Sequence, residues 1–112
     1  MASTFKSASV DGSAIAGGTQ TTVYTCPGST TGIILALNLV NLTASQTLIT
    51  IIFNDDSTGG SIYLVKDLPL PARSAIEMLS GNKYILEAGD SIDYISSEDN
   101  SVDAYFGVME QV

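Results

Sequence analysis

The stretch YTCPGSTTGIILALNLVNLTASQTLITIIFND, residues 24–55, contains two long apolar segments separated by turn-forming residues. Runs of Ile, Thr and Leu bounded by Pro, Gly, Asn and Ser predict strands joined by turns. In the second segment, odd-numbered residues from Thr47 to Phe53 share one face of the strand, and even-numbered residues from Leu48 to Ile52 share the other. Both faces are largely apolar. Because a sandwich covers one face of each sheet, this pattern predicts a covering loop or a neighbouring subunit on the outer face.

The first segment has the same two-faced pattern. A regular strand across residues 32–42 places Leu35 and Leu37 on one face and Ile34 and Asn38 on the other. We therefore expect both faces of this strand to be covered as well.

Similar runs continue along the chain and predict about eight strands. They lie at 20–26, 32–42, 46–54, 61–68, 72–78, 83–86, 90–96 and 102–110. No helical pattern separates them, which favours antiparallel pairing and an all-β fold of the β-sandwich or jelly-roll-like kind. A β-barrel around a ligand cavity fits the same pattern and stays an alternative.

Two short stretches refine this prediction. SAIEML, residues 74–79, is the one segment compatible with a short helix, but turn residues on both sides favour a strand. LPLP, residues 68–71, lacks two backbone N–H donors and so predicts a sheet edge or a crossing between sheets.

The chain has 112 residues, the size of one ordinary domain. Residues 1–19 are rich in Ser, Ala and Gly, a composition that buries little apolar surface. We interpret them as a flexible N-terminal arm that orders against a partner, followed by a β-sandwich domain at residues 20–112. The start lacks the pattern of a signal peptide and no run is long enough to span a membrane, so we expect a soluble protein made in a cytosol.

Charge and composition exclude several classes of function. Twelve acidic and four scattered basic residues give a net charge of -8, which disfavours nucleic acid and anionic membranes as partners. Histidine is absent, which removes the usual general base and any Ser-His-Asp triad. A single cysteine, Cys26, cannot form an intramolecular disulfide or hold zinc alone, and is interpreted as a small buried residue.

The remaining polar candidates have ordinary explanations. The pairs Asp55/Asp56 and Glu98/Asp99 are typical of turns, and the first lacks the spacing of a calcium loop. The candidates around Gly89, Arg73 and the sequon at Asn41 are also discounted. Those around Gly89 are Glu87, Asp90 and Asp93, whose closeness in sequence is the only hint of a glycosidase pair. We therefore predict no catalytic, cofactor-binding or metal-binding residue, and no cofactor.

Three segments carry a resemblance to a known group of proteins. YTCPG at 24–28, NLVNLT at 38–43 and LEAGDSI at 86–92 resemble turns in small all-β virion proteins of tailed bacteriophages. The resemblance implies a non-enzymatic capsid decoration (cement) protein, located in the virion and assembled in the host cytoplasm. Its partners would be the major capsid protein or other virion proteins, and it would form a homo-oligomer.

Two alternatives stay open. One is a tail, neck or fibre component, which the same resemblance allows. The other is a carbohydrate-binding module whose loops at 54–60 and 96–101 present polar side chains to host glycans, with or without calcium.

Overall fold

The computed structural model describes residues 3–79 and 83–112 and shows two antiparallel sheets packed face to face. Nine strands are present in the described chain. They are β1 Ser3–Val10, β2 Thr21–Thr25, β3 Thr31–Asn41, β4 Thr47–Asp55, β5 Gly60–Leu70, β6 Ala75–Glu77, β7 Tyr84–Leu86, β8 Ser91–Ser96 and β9 Val102–Gln111. The predicted all-β sandwich is confirmed, and a single turn of 3-10 helix at Gly12–Ala14 follows β1.

Sheet A has the order β1-β9-β3-β6, with β7 also paired to β3, and sheet B has the order β2-β8-β4-β5. The two apolar segments of residues 24–55 are β3 and β4, which lie in different sheets. The chain crosses from one sheet to the other between them. Both sheets have separate edges, so the barrel alternative was wrong.

The core lies between the sheets and is made mainly from alternate residues of their central strands, with contributions from β5 and β7. Its fully buried large side chains are Ile34, Leu37, Leu39, Ile49, Ile51, Leu70, Leu86, Ile92, Tyr94, Val102, Phe106 and Val108. The one phenol among them is satisfied, because the Tyr94 hydroxyl donates to the Val102 carbonyl at 2.9 Å. Side chains fill the space in which a barrel would hold its ligand.

A β-bulge at Leu35 corrects the prediction that β3 is regular and apolar on both faces. Ile34 pairs with Val108 and Ala36 with Gly107, so Leu35 is an extra residue without a partner on β9. An extra residue reverses the alternation of side chains beyond it. Ile34 faces the core before the bulge and Leu37 faces it afterwards, whereas Leu35 is 38% exposed.

In β4 both faces are buried within the chain itself. Ile49 and Ile51 face the core, and Thr50 and Ile52 on the other face are also buried. Strand β5 has two register shifts opposite β4, and there the Asp67 N–H donates to the Thr50 hydroxyl at 3.1 Å. The covering that β4 requires thus comes from its neighbours in the same chain and needs no second subunit.

The flexible arm expected at residues 1–19 is corrected by β1. Ser3–Val10 pairs along its whole length with β9, from Ser3 opposite Gln111 to Val10 opposite Ala104, without a register shift. Ala8 and Val10 also pack against the core. Because an edge strand is held chiefly by backbone hydrogen bonds, a composition poor in apolar residues does not prevent it from forming.

The two short stretches behave as predicted. SAIEML contains the strand β6 and no helix among its residues. Pro69 lies near the end of β5, the edge strand of sheet B, where a missing N–H donor is tolerated.

The bulge predicts different costs for truncating two leucines that a regular strand would place on one face. We expect Leu37→Ala, in the core, to lower the free energy of unfolding by about 2 to 5 kcal/mol. Leu35→Ala, at a half-exposed bulge residue, should lower it by less than about 1 kcal/mol. Urea denaturation followed by circular dichroism measures both, and equal losses would contradict the bulge.

Candidate interaction surface

An apolar row crosses the outer face of sheet A. Phe5 on β1 lies opposite Met109 on β9, Met109 lies opposite Ile33 on β3, and Ile33 lies opposite Ile85 on β7. Directly opposed side chains have Cβ atoms about 4.5 to 5.5 Å apart, so the four form one continuous strip. Phe5 is 74% exposed and Ile85 is 64% exposed, while the middle pair is half-buried. We call these four residues the apolar row.

The rest of this face carries small residues, polar residues and two carboxylates, Glu77 and Asp103. Next to the apolar row lie small residues, Ser7 opposite Gly107 and Gly107 opposite Ala36. Tyr105, which is 47% exposed, lies opposite Asn38 in the row beyond. Small neighbours leave the large apolar side chains accessible to another surface.

A polar bridge joins the two sheets behind this end of sheet A. The Tyr24 hydroxyl on β2 donates to Glu110 Oε2 on β9 at 2.5 Å, and Lys6 Nζ on β1 lies 2.8 Å from Glu110 Oε1. Glu110 is only 6% exposed, so both its oxygens are satisfied by partners from other strands. The bridge fixes β1 to the sandwich by a side-chain contact besides its backbone pairing.

The bridge also determines how its groups titrate. Lys6, and next the hydrogen bond from Tyr24, lower the pKa of the Glu110 carboxyl below its ordinary value. Burial, and next the hydrogen bond to Glu110, raise the pKa of the Tyr24 phenol. Glu110 is therefore charged and Tyr24 neutral at neutral pH.

The acidic pairs predicted to lie in turns hold backbone groups of turns and loops. Asp55 Oδ1 accepts hydrogen bonds from the Ser57 N–H at 3.0 Å and from the Ser57 hydroxyl at 2.7 Å. Asp99 Oδ1 accepts from the Gly17 N–H at 2.7 Å. Both carboxylates thus stabilise turns and loops of their own chain.

The three carboxylates around Gly89 do not converge. Asp90 is buried and accepts from the Glu87 and Asp56 N–H groups, each at 2.9 Å. Asp93 lies on the outer face of sheet B, where its Oδ2 accepts from Gln20 Nε2 at 2.6 Å and Asn54 Nδ2 at 2.9 Å. Among the described residues, no group of three or more His, Cys, Asp or Glu is arranged to hold a metal ion.

Asn41 and Cys26, the two reactive candidates of the sequence, are buried. Asn41 Nδ2 donates to three backbone carbonyls, those of Ser45, Leu70 and Pro71, at 2.8 to 3.1 Å. Cys26 is 1% exposed, its thiol donates to the Leu86 carbonyl at 3.6 Å, and burial raises its pKa. Neither side chain is available for modification in the folded chain.

Arg73, the remaining candidate of the sequence, is exposed and lies in the turn between β5 and β6 with a φ of 54°.

The apolar row was not found by sequence reasoning. Its members come from four separated strands, and only their register brings them together. The absence of a membrane-spanning helix holds for residues 3–79 and 83–112, where no helix has the necessary length and hydrophobicity.

Comparison with known proteins adds one likeness in fold. No protein-family model matches the chain, and no curated protein matches it. A solved structure, described as "Bacillus endospore appendages form a novel family of disulfide-linked pili", matches with a TM-score of 0.53 and 12% sequence identity. The match covers 96% of this chain and 85% of that chain. At this identity it shows a shared fold alone.

The polar bridge predicts a pH-dependent contribution to stability. Glu110→Gln removes the charge that Lys6 pairs with, and we expect it to cost about 1 to 3 kcal/mol at pH 7. Because the folded pKa of Glu110 is lowered, its contribution is present above the unfolded pKa of about 4.3 and is lost as the pH falls through the folded pKa. The difference from wild type should therefore shrink as the pH falls below about 5. Urea titrations across this range measure it, with the exposed Glu98→Gln as control. A constant difference would contradict the assignment.

The buried thiol gives a second prediction. Cys26 should not react with a maleimide in the folded protein, because the nucleophile is the thiolate and the sulfur is covered. Mass spectrometry should show one adduct only after unfolding in urea, whereas a Ser57→Cys variant should acquire one adduct while folded. Rapid labelling of native wild type would show that the Cys26 site opens readily.

Proposed function

We propose that this chain is a non-enzymatic structural subunit of a phage virion, most specifically a capsid decoration (cement) protein. It binds the outer surface of the shell through contacts made by sheet A. The phage assignment rests on the resemblance of residues 24–28, 38–43 and 86–92, and the structure bears on the kind of contact.

The observation that carries the proposal is the apolar row. Single exposed apolar residues are ordinary on protein surfaces, but a continuous strip is typical of a protein contact. Phe5 and Ile85 stand at its two ends and are the most exposed of its members. Large exposed apolar side chains beside small ones are typical of a contact between two protein surfaces.

Charge and chemistry support the same proposal. A net charge of -8 suits a surface that faces solvent and not packaged nucleic acid. The sequence has no histidine, and Asp90 and Asp93 are held in separate hydrogen-bond networks. These two carboxylates stabilise the fold, which agrees with a non-enzymatic role.

The solved pilus structure is similar to this chain in fold alone. Its title names disulfide linkage, which does not transfer to this chain. The single cysteine here, Cys26, is buried and donates to backbone carbonyls. The folded chain therefore presents no exposed thiol for a disulfide between subunits.

The copy number in purified particles tests the proposal. Quantitative mass spectrometry should find this chain in hundreds of copies relative to the major capsid protein, as decoration of a whole shell requires. Copies in the tens or fewer would support a tail, neck or fibre component instead. Absence from particles would overturn the virion assignment, and binding on a glycan array would then favour the carbohydrate-binding alternative.

A matched pair of variants tests the surface. On particles prepared without the chain, rebinding of purified Ile85→Asp should be weaker than wild type by about tenfold or more, because one buried isoleucine contributes about 1.5 to 3 kcal/mol. Tyr63→Asp, a similarly exposed residue on sheet B, is the control and should rebind normally. Equal rebinding by both variants would exclude the apolar row as the contact.

A further inference from the structure

The edges of the two sheets differ in how well they could accept another strand. Three of the four edges are short or interrupted. The edge formed by β2 has five residues and a register shift, and the edge shared by β6 and β7 has three residues in each strand. The edge formed by β5 has two register shifts and Pro69. Bulges, proline and shortness are the features by which proteins prevent edge-to-edge pairing. An inward-pointing charge is a further such feature, and β1 carries one in Lys6, but Glu110 pairs with it at 2.8 Å. Strand β1 has no bulge and no proline. It is eight residues long and regular, and no described strand pairs with its other side.

The charge of β1 also differs from that of the chain. Ser3–Val10 contains no carboxylate and one cation, Lys6, which is paired with Glu110. Two copies of a chain with a charge of -8 repel each other overall, so a contact between them is least unfavourable where the acidic residues are missing. The regular edge strand β1 meets this condition, because it has no acidic residue of its own.

We propose that β1 pairs antiparallel with β1 of a second copy, in the register that places the two Phe5 side chains opposite each other. Such pairing joins the two A sheets into one continuous sheet about a two-fold axis. Ser3 of each copy then lies opposite Ser7 of the other, and Thr4 opposite Lys6. The proposal deepens the proposed function, and rests on it, by naming the contact between subunits.

Side-chain chemistry selects this register. An axis at Lys6 would oppose two like charges, which destabilises a strand pair. An axis at Ser7 would place Phe5 opposite Ser9 and bury less apolar area. The axis at Phe5 makes an aromatic pair and connects the apolar row of one copy with that of the other, so that a single apolar strip runs across both subunits.

The contact is small compared with a stable interface, which usually buries more than about 1,000 Å². We therefore expect a weak, concentration-dependent dimer in solution. Neighbouring binding sites on a particle would raise the local concentration and favour the same pairing there.

Two cysteine variants test the register. Opposed residues of antiparallel strands have Cα atoms about 4.5 to 5.5 Å apart, within the range that a disulfide spans. Phe5→Cys should thus form a covalent dimer under mild oxidation, detected by non-reducing electrophoresis. The matched control is Ser7→Cys, on the same face of the same strand, whose two copies would lie about 13 Å apart and should stay monomeric. The buried Cys26 does not compete. Dimer formation by Ser7→Cys as fast as by Phe5→Cys, or none by Phe5→Cys, would overturn the proposal.

Sedimentation velocity gives a second readout that needs no oxidation. Wild type should shift towards dimer as its concentration rises, and Phe5→Asp should remain monomeric. Val112→Asp adds the same charge at a similarly exposed apolar residue and should still dimerise. Identical behaviour of Phe5→Asp and wild type would exclude pairing through β1.

The outcomes separate this inference from the proposed function. If the chain is abundant in particles but Phe5→Cys forms no dimer in solution or on the particle, the β1 contact is wrong and the virion function stands. If Phe5→Cys forms the dimer and the chain is absent from particles, the contact stands and the virion function fails.

Discussion

The alternation of side chains in β3 is the constraint on which the sandwich depends. This strand pairs with β9 on one side and with β6 and β7 on the other, so its inward side chains determine the inward face of sheet A. The bulge at Leu35 directs Ile34, Leu37 and Leu39 to the same core. It also directs Asn41 inward, where its amide binds the carbonyls at the crossing between the sheets. Without the extra residue, one half of β3 would face solvent with its leucines.

The two sheets differ in how their outer faces are covered. In sheet B, the outer residues Thr50 and Ile52 of β4 are buried within the chain, although Tyr63 on the neighbouring β5 is 58% exposed. In sheet A, the outer face presents the apolar row with small residues beside it. Under the proposed function, sheet A is the face that contacts other subunits.

The strands of the core could be predicted from the sequence because each is an apolar run between turn residues, and their bounds agree with the structure to within a few residues. The bulge at Leu35 could not, since an extra residue in a uniformly apolar run leaves no mark on composition. Strand β1 was missed because it is held to β9 chiefly by backbone pairing, which its composition does not reveal. The candidate surface was missed for a related reason. Phe5 and Ile85 are about eighty residues apart in the chain, and their alignment depends on the register of three strand pairs.

The position of β9 between β1 and β3 has a consequence for folding kinetics. Ser3 and Thr31 both lie opposite Gln111, so the middle of sheet A is closed by the last strand of the described chain. Contacts over such sequence separations slow folding, because a long loop must close before they form. During synthesis β1 and β3 therefore leave the ribosome before β9, the strand that lies between them, and their apolar residues stay exposed until β9 follows. Until β9 has been made, the edges of β1 and β3 that it later covers are unpaired, and unpaired edges of this kind make a folding chain prone to aggregation.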